Sequence, residues 1–514
     1  DFMLSKYKLN QLYFKDTQFA NLMTRRIFNV LLIANPYDAF MLEDDGRIDE
    51  KIFNEYTSLS LRYPPRFSQV STEEEALAQL ENMSFDLVIC MPSTGDNDSF
   101  DIGRHIKEKY EHIPIVILTP FSHGITKRII NEDLSAFEYV FCWLGNTDLL
   151  VSIIKLIEDK MNLEHDVQEV GVQLILLVED GIRFYSSILP NLYKFVLKQS
   201  QEFSTEALNA HQRTLRMRGR PKIVLARTYQ EAMEIYHKYQ NNILGVITDV
   251  RFPKVERGEK DGLAGIKLCA EIRKNDPFVP LIIQSSESEN SSYAAKYGAS
   301  FIDKNSKKMD VDLRRIVSDN FGFGDFIFRN PDTGEEIARV RKELQNILFA
   351  VPAESFLYHI SRNHVSRWFY SRAMFPVAEF LKPITWNSLQ DVDAHRKIIF
   401  EAIVKYRKMK NQGVVAVFKR DRFDRYSNFA RIGDGSLGGK GRGLAFIDNM
   451  VKRHPEFDEF ENARVAIPKT VVLCTDVFDE FMDTNNLYQI ALSNADDDTI
   501  LKYFLKAKLP DRLG

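Results

Sequence analysis

Short, continuous apolar runs alternate with helically spaced stretches over the first two thirds of the chain. Four such runs recur early, at 29–34 (NVLLIA), 86–90 (DLVIC), 115–119 (IVILT) and 139–142 (YVFC). Runs this short, apolar on both faces, predict parallel strands buried beneath helices, and the intervening segments 73–80 and 149–160 carry helical spacing. The pattern then repeats at 174–178 (LILLV) and 243–248 (ILGVIT), followed by runs that deliver Ser285 and Lys304. After Asp325 the spacing becomes helical, over 335–348, 355–381 and about 393–409, so a helical connector is expected. Its aromatics, Phe356, Tyr358, Trp368, Phe369, Tyr370, Phe375 and Phe380, read first as core, with a dimer interface as the rival. His359 and His364 read as packing or capping residues ahead of phosphotransfer groups.

Composition sets the frame around this pattern. A chain of 514 residues predicts several domains, and 44% hydrophobic with 12% aromatic content supports well-formed cores. A net charge of -4 gives no global attraction to nucleic acid. Cys90, Cys142, Cys269 and Cys474 are scattered, with no CxxC spacing for zinc and no disulfide framework, which favours a reducing, cytoplasmic setting. The sequence contains neither an apolar run long enough to span a bilayer nor a signal-peptide pattern, so no membrane partner is expected.

Chemistry concentrates at the ends of the second set of strands. Asp249 closes one apolar run, Glu179 and Asp180 follow another, and Ser285 and Lys304 end two more. In an open α/β sheet these carboxyl ends form the crevice where ligands bind. Acids, a hydroxyl and a lysine converging there suit Mg²⁺-assisted phosphoryl transfer to a carboxylate. A structural ion-pair network is the alternative.

These residues resemble the receiver domain of two-component response regulators. The resemblance implies that Asp249 is the phosphoacceptor, that Glu179, Asp180 and Asp249 hold the metal, that Ser285 and Lys304 bind the phosphoryl group, and that Phe301 is the aromatic switch. It also implies a histidine kinase or phosphotransfer protein as partner. Two departures stand out: the segment 251–261 is longer and more charged than the family's turn, and Asn305 follows Lys304 where the family has Pro. A basic stretch, His211, Arg213, Arg216, Arg218, Arg220 and Lys222, precedes the next strand and reads as a solvated loop.

The earlier repeat resembles the same fold without its chemistry. Asn35 and Pro36 stand where acids should follow the first strand, Met91 replaces the phosphoacceptor, and Trp143 lies near the lysine position, while Thr119 keeps its place. Residues 26–163 are therefore expected to be a degenerate receiver used for packing or partner contact. Asp96, Asp98 and Asp101, in the loop after Met91, read as a polar turn.

The last motif is the glycine-rich segment 435–445 (GSLGGKGRGLA) before an apparent helix. Glycines let backbone N–H groups approach phosphate closely, and Lys440 adds a charge. With the following strand 465–473 and helix 476–481, the segment resembles the start of the nucleotide-binding domain of pyruvate phosphate dikinase and phosphoenolpyruvate synthase. That resemblance implies ATP bound by Gly438, Gly439 and Lys440, and pyruvate or phosphoenolpyruvate as substrates of a longer, intact protein.

The expected architecture is α/β: an extension (1–25), a degenerate receiver (26–163), a receiver (168–325), a helical connector (326–412), and the opening of a dikinase-like, α+β ATP-grasp segment (413–514). Both receivers would be flavodoxin-like and doubly wound. The expected function is phosphorelay signalling in which Asp249, with Mg²⁺, regulates the C-terminal segment. The alternatives are a dikinase-type phosphotransferase and a non-enzymatic receiver scaffold, and the connector could serve homo-oligomerisation.

Overall fold

The computed structural model describes residues 9, 12, 14–43, 46–92, 99–120, 129, 131–204, 210–386, 391–411, 415–418, 426–458, 460, 462–463 and 465–513. The chain forms two compact units, one of residues 17–206 and 211–392, the other of 1–16, 207–210 and 393–514.

The first unit contains two parallel five-stranded sheets. Strands β1 (Asn29–Ile33), β2 (Arg66–Val70), β3 (Leu87–Cys90), β4 (Ile115–Pro120) and β5 (Tyr139–Trp143) lie in the order β2-β1-β3-β4-β5. Strands β6 (Leu174–Val178), β7 (Lys222–Ala226), β8 (Ile243–Asp249), β11 (Leu281–Ser285) and β12 (Ser300–Asp303) lie in the order β7-β6-β8-β11-β12, with a small hairpin, β9 (Phe252–Pro253) and β10 (Lys260–Asp261), between β8 and β11. Both orders are the flavodoxin-like 2-1-3-4-5, so the fold is two doubly wound modules in tandem. The central strands are buried along their whole length, as their unbroken apolar runs require. The edge strand β2 (RFSQV) has no such run because most of it is exposed or half-buried.

The helix Asp148–Val170 joins the modules. It extends past the expected 149–160 and ends where Gly171 takes a left-handed cap at φ +75°. Its second half carries buried Glu158, Asp159, Asn162 and Asp166. Arg220 of the second module pairs with Asp159 at 2.7 Å, Tyr193 donates its hydroxyl to the same carboxylate at 2.8 Å, and Lys222 pairs with Asp166 at 2.7 Å. The basic stretch is thus not a solvated loop throughout: Arg216, Arg220 and Lys222 are buried, and carboxylates on this helix draw Arg220 and Lys222 inward.

The connector departs from its expected helices at the start. Residues 335–348 do not form a helix. Strands β13 (Phe326–Arg329) and β14 (Glu336–Val340) make an antiparallel hairpin, followed by a single tight turn at Leu344–Asn346. The hairpin turn explains the reversal: Asn330 accepts from the backbone N–H groups of Asp332 and Thr333, and Gly334 takes φ +74°. Helices Ala353–Ser361, His364–Ser371 and Phe375–Leu381 follow. Most of the aromatic stripe is core: Phe356, Trp368, Phe369, Tyr370 and Phe375 are buried. Trp368 donates its ring N–H to the Gly324 carbonyl at 3.1 Å, and the Arg372 guanidinium lies 3.8 Å from the Trp368 ring centroid. Phe321 packs over Gly245 of β8, where a Cβ would come within 2.3 Å of the ring. This close approach explains a glycine in the middle of a central strand. His359 accepts from the Arg329 N–H at 2.9 Å and meets His364 Nδ1 at 2.8 Å, and burial pushes the pKa of both imidazoles down.

In the second unit, β15 (Ala416–Val417), β16 (Phe429–Ile432) and β17 (Thr470–Leu473) form a small parallel sheet in sequence order. The helices Val392–Lys410, Gly438–Arg453, Thr475–Thr484 and Asp497–Lys506 accompany it. Among the described residues no helix is long and apolar enough to cross a membrane.

Candidate functional site

Parallel register gathers the acids. Val178 lies opposite Thr248, and Gln284 opposite Asp249, so Glu179, Asp249 and Ser285 emerge together at the carboxyl edge of the second sheet. One oxygen from each of Glu179, Asp180 and Asp249 lies within 4.8 Å of the others, and the described residues contain no other cluster of this kind. Lys304, just beyond β12, reaches back across the edge to Glu179 at 2.6 Å and Asp249 at 2.9 Å. Its backbone N–H bonds the Ser285 carbonyl at 2.9 Å, and its ammonium lies 4.3 Å from the Phe184 ring centroid.

Burial dominates the electrostatics. Glu179 is 1% exposed, and burial first, then the charge of Asp249, push its carboxyl up to about 7 despite the pull of Lys304. Asp180 pairs with Lys260 of β10 at 2.7 Å through Oδ2, while its Oδ1 is buried without a hydrogen-bond partner. Three hard oxygen donors, one of them orphaned, fit a metal ion.

Ser285 is buried, and its hydroxyl oxygen accepts from the Glu287 N–H at 3.1 Å and from Asn290 at 2.9 Å. That leaves its O–H as the group it can offer to a neighbouring oxygen. Phe301 is half-buried on β12 opposite Ile283 and packs against the core. Gly265, at the start of the helix Ala264–Asn275, permits that helix to approach Asp249: a Cβ there would lie 1.8 Å from the Asp249 carbonyl oxygen.

Sequence reasoning missed Gln284, Lys260 and Phe184 as site residues. Gln284 is fully buried and donates to Glu179 at 3.3 Å; the signal was an amide in an apolar run. Lys260 belongs to the charged 251–261 segment, whose length is used to form the β9–β10 hairpin.

The first module has the same edge without the acids. Asn35 caps the helix Pro36–Leu42, accepting from the Asp38 N–H at 2.8 Å. Met91 is buried and its N–H bonds the Ile33 carbonyl, Trp143 ends β5, and Thr119 turns its hydroxyl to the Pro120 carbonyl. Asp101 lies on the helix Ser99–Lys109 and pairs with Arg104, whereas Asp96 and Asp98 lie outside the described residues.

In the C-terminal unit, Gly438, Gly439 and Lys440 open the helix Gly438–Arg453, with Gly438 at φ +71°. A Cβ on either glycine would meet open space, and Lys440 is exposed. The N–H groups just before them are engaged: those of Asp434 and Gly435 bond the Asp476 carboxylate at 3.1 and 2.9 Å, and that of Ser436 bonds Thr475. These backbone donors hold the Asp476 carboxyl down at about 2.

No family model and no curated protein matches the sequence. Among solved structures, a two-component system response regulator/GGDEF domain protein aligns at 15% identity and TM-score 0.25, covering 56% of this chain and 96% of that one. NtrX from Brucella abortus in complex with ADP aligns at 8% identity and TM-score 0.22, covering 73% of this chain and 100% of that one. At these TM-scores the alignments carry no argument, and the fold assignment rests on strand order.

Proposed function

We propose that the second module accepts a phosphoryl group on Asp249 from a histidine kinase or phosphotransfer protein, and thereby regulates the C-terminal segment. The carrying observation is the convergence of Glu179, Asp180 and Asp249 within 4.8 Å, with Lys304 2.9 Å from Asp249. An Asp249 carboxylate oxygen attacks phosphorus as the donor's phosphorus–nitrogen bond breaks, giving an aspartyl phosphate. Mg²⁺ held by the three acids would neutralise the phosphoryl oxygens. Lys304 then pairs with the transferred group, and the Ser285 O–H donates to it. Phe301, on the strand preceding Lys304, follows that rearrangement. Phe321 packs over Gly245 on the strand that carries Asp249, and the next residue, Gly322, accepts from the Ser371 hydroxyl of the connector at 2.6 Å, which supports a route from the site into the connector.

The test is Mg²⁺-dependent binding of beryllofluoride, an acyl-phosphate mimic, to wild type and Asp249→Ala. Binding in wild type that is lost in the variant is expected. Failure of the wild type to bind overturns the reading in favour of a scaffold built on a structural ion-pair network.

For the regulated output we propose nucleotide binding through Gly438, Gly439 and Lys440. The open space at both glycines and the exposed lysine at a helix start favour it. ATP binding that survives Lys440→Ala would sink this part. A dikinase-type reaction with pyruvate or phosphoenolpyruvate remains tied to that outcome.

A further inference from the structure

We infer that the seam between the two modules holds a binding site for a phosphate-type oxyanion, away from Asp249 and independent of it. A cavity of about 70 Å³ opens there, lined by Arg26, Arg62, Tyr56, Lys155, Glu158 and Arg218 among others. That volume has room for several waters, enough for one phosphate group.

The charges around the cavity do not cancel. Lys155 is neutralised by Glu158 at 2.7 Å, and Arg220, which also lines the cavity, by Asp159. Arg26, Arg62 and Arg218 have no carboxylate partner among the described residues. Arg218 donates from Nη1 to the Ala20 carbonyl at 2.9 Å, while its Nε is buried with no hydrogen-bond partner. Arg26 spends its Nε on the Met23 carbonyl at 3.2 Å. Burial first, and the like charge of Arg26 next, push the Arg218 pKa down. A buried cationic N–H beside a second guanidinium is an arrangement that an anion relieves, and guanidinium forks match the oxygens of a phosphate dianion.

The ligand is therefore inorganic phosphate or the phosphate of a small phosphomonoester. The experiment is calorimetric titration of the full chain with inorganic phosphate and, separately, with glycerol phosphate, in EDTA so that the acidic site holds no metal. Saturable one-to-one binding that weakens with added salt is expected. Arg62→Gln and Arg26→Gln should each weaken it about tenfold, the scale of one charge-assisted hydrogen bond. Arg218→Gln should do the same, but Arg218 also anchors the Ala20 carbonyl, so the exposed Arg62 is the deciding position. Unchanged affinity in Arg62→Gln, or no saturable binding of either probe, overturns the site. Loss of binding in Asp249→Ala also overturns it, because the anion would then belong to the acidic edge. Tighter binding of glycerol phosphate supports the site with a phosphomonoester ligand, and tighter binding of inorganic phosphate supports it with the free ion.

Discussion

The two doubly wound modules have the same strand order and opposite chemistry at their carboxyl edges. In the first, Met91 is buried at the edge and Asn35 serves only to cap a helix. In the second, Glu179, Asp180 and Asp249 bring three carboxylates together, two of them paired with Lys304 and the third with Lys260. What forms the sheet in both is the run of apolar residues behind the edge, which is indifferent to what the next residue is. The edge of the second module bears a like-charge repulsion and a buried carboxyl that the first module's described residues form the same sheet without. The first module, relieved of that, contributes its last helix as the structural seam.

Breaking the seam should have the largest effect on this comparison. Arg220→Met leaves Asp159 buried with only hydroxyl and backbone donors, and such an uncompensated carboxylate costs about 3–5 kcal/mol. Denaturant unfolding monitored by hydrogen exchange in β7 should register this, and the double variant Arg220→Met with Asp159→Asn should recover part of it. A loss below about 1 kcal/mol would mean that the pair contributes little to holding the modules together.

Exchanging the edges comes next. Met91→Asp places a carboxylate at a position that is 2% exposed, with Trp143 rather than a lysine at the end of β5, and should destabilise by about 2–3 kcal/mol. Asp249→Met, the reverse change, removes a like charge from Glu179 and should be neutral or stabilising by up to about 1 kcal/mol. Thermal unfolding of the two variants checks the asymmetry. Destabilisation by both would make the acidic cluster a structural network.

How much of this was legible in the sequence follows from the same distinction. The buried strands announced themselves as apolar runs, and the acids stood directly after them, so sheet and site residues could be read together. β2 could not be read that way, because an exposed edge strand has no apolar run. The hairpin β13–β14 was hidden because its apolar positions, Ile337 and Val340, are spaced three apart and suit a helix equally well; only the turn around Gly334 distinguishes them. The buried cations Arg220 and Lys222 were misread because their partners, Asp159 and Asp166, lie on a helix of the other module, and local charge pattern carries no information about such distant pairing.

The edges also differ in how they respond to pH. Glu179 is pushed up to about 7, so in the native state it holds its proton across a range where an ordinary glutamate has lost it. The stability this group contributes is full below its unfolded value and is lost as pH rises through about 7. Mg²⁺ must displace that proton, so its affinity should rise roughly tenfold per unit up to about pH 7 and level off above. Titration calorimetry across pH 5.5–8.5 checks the slope, and Glu179→Gln should flatten it. A flat profile in wild type would remove Glu179 from the metal's ligands.

The smallest expected effect concerns the β9–β10 hairpin of the second module. Lys260 lies 2.7 Å from Asp180, where its ammonium competes with a metal for the same oxygen. The Lys260 side chain is 49% exposed, so the pair is worth no more than about 1 kcal/mol, and Lys260→Ala should tighten Mg²⁺ by about two- to fivefold. The same hairpin loop sends Arg257, at φ +58°, to the Glu132 carbonyl of the first module at 2.6 Å. A hairpin that touches the acidic edge at one end and the first module at the other makes the first module part of the setting of the acidic edge. If that contact sets where Lys260 lies, Arg257→Ala should shift Mg²⁺ affinity in the same direction as Lys260→Ala, and the double variant should add little to either. Full additivity would mean that the two ends of the hairpin act independently, and that the first module has no hold on the acidic edge.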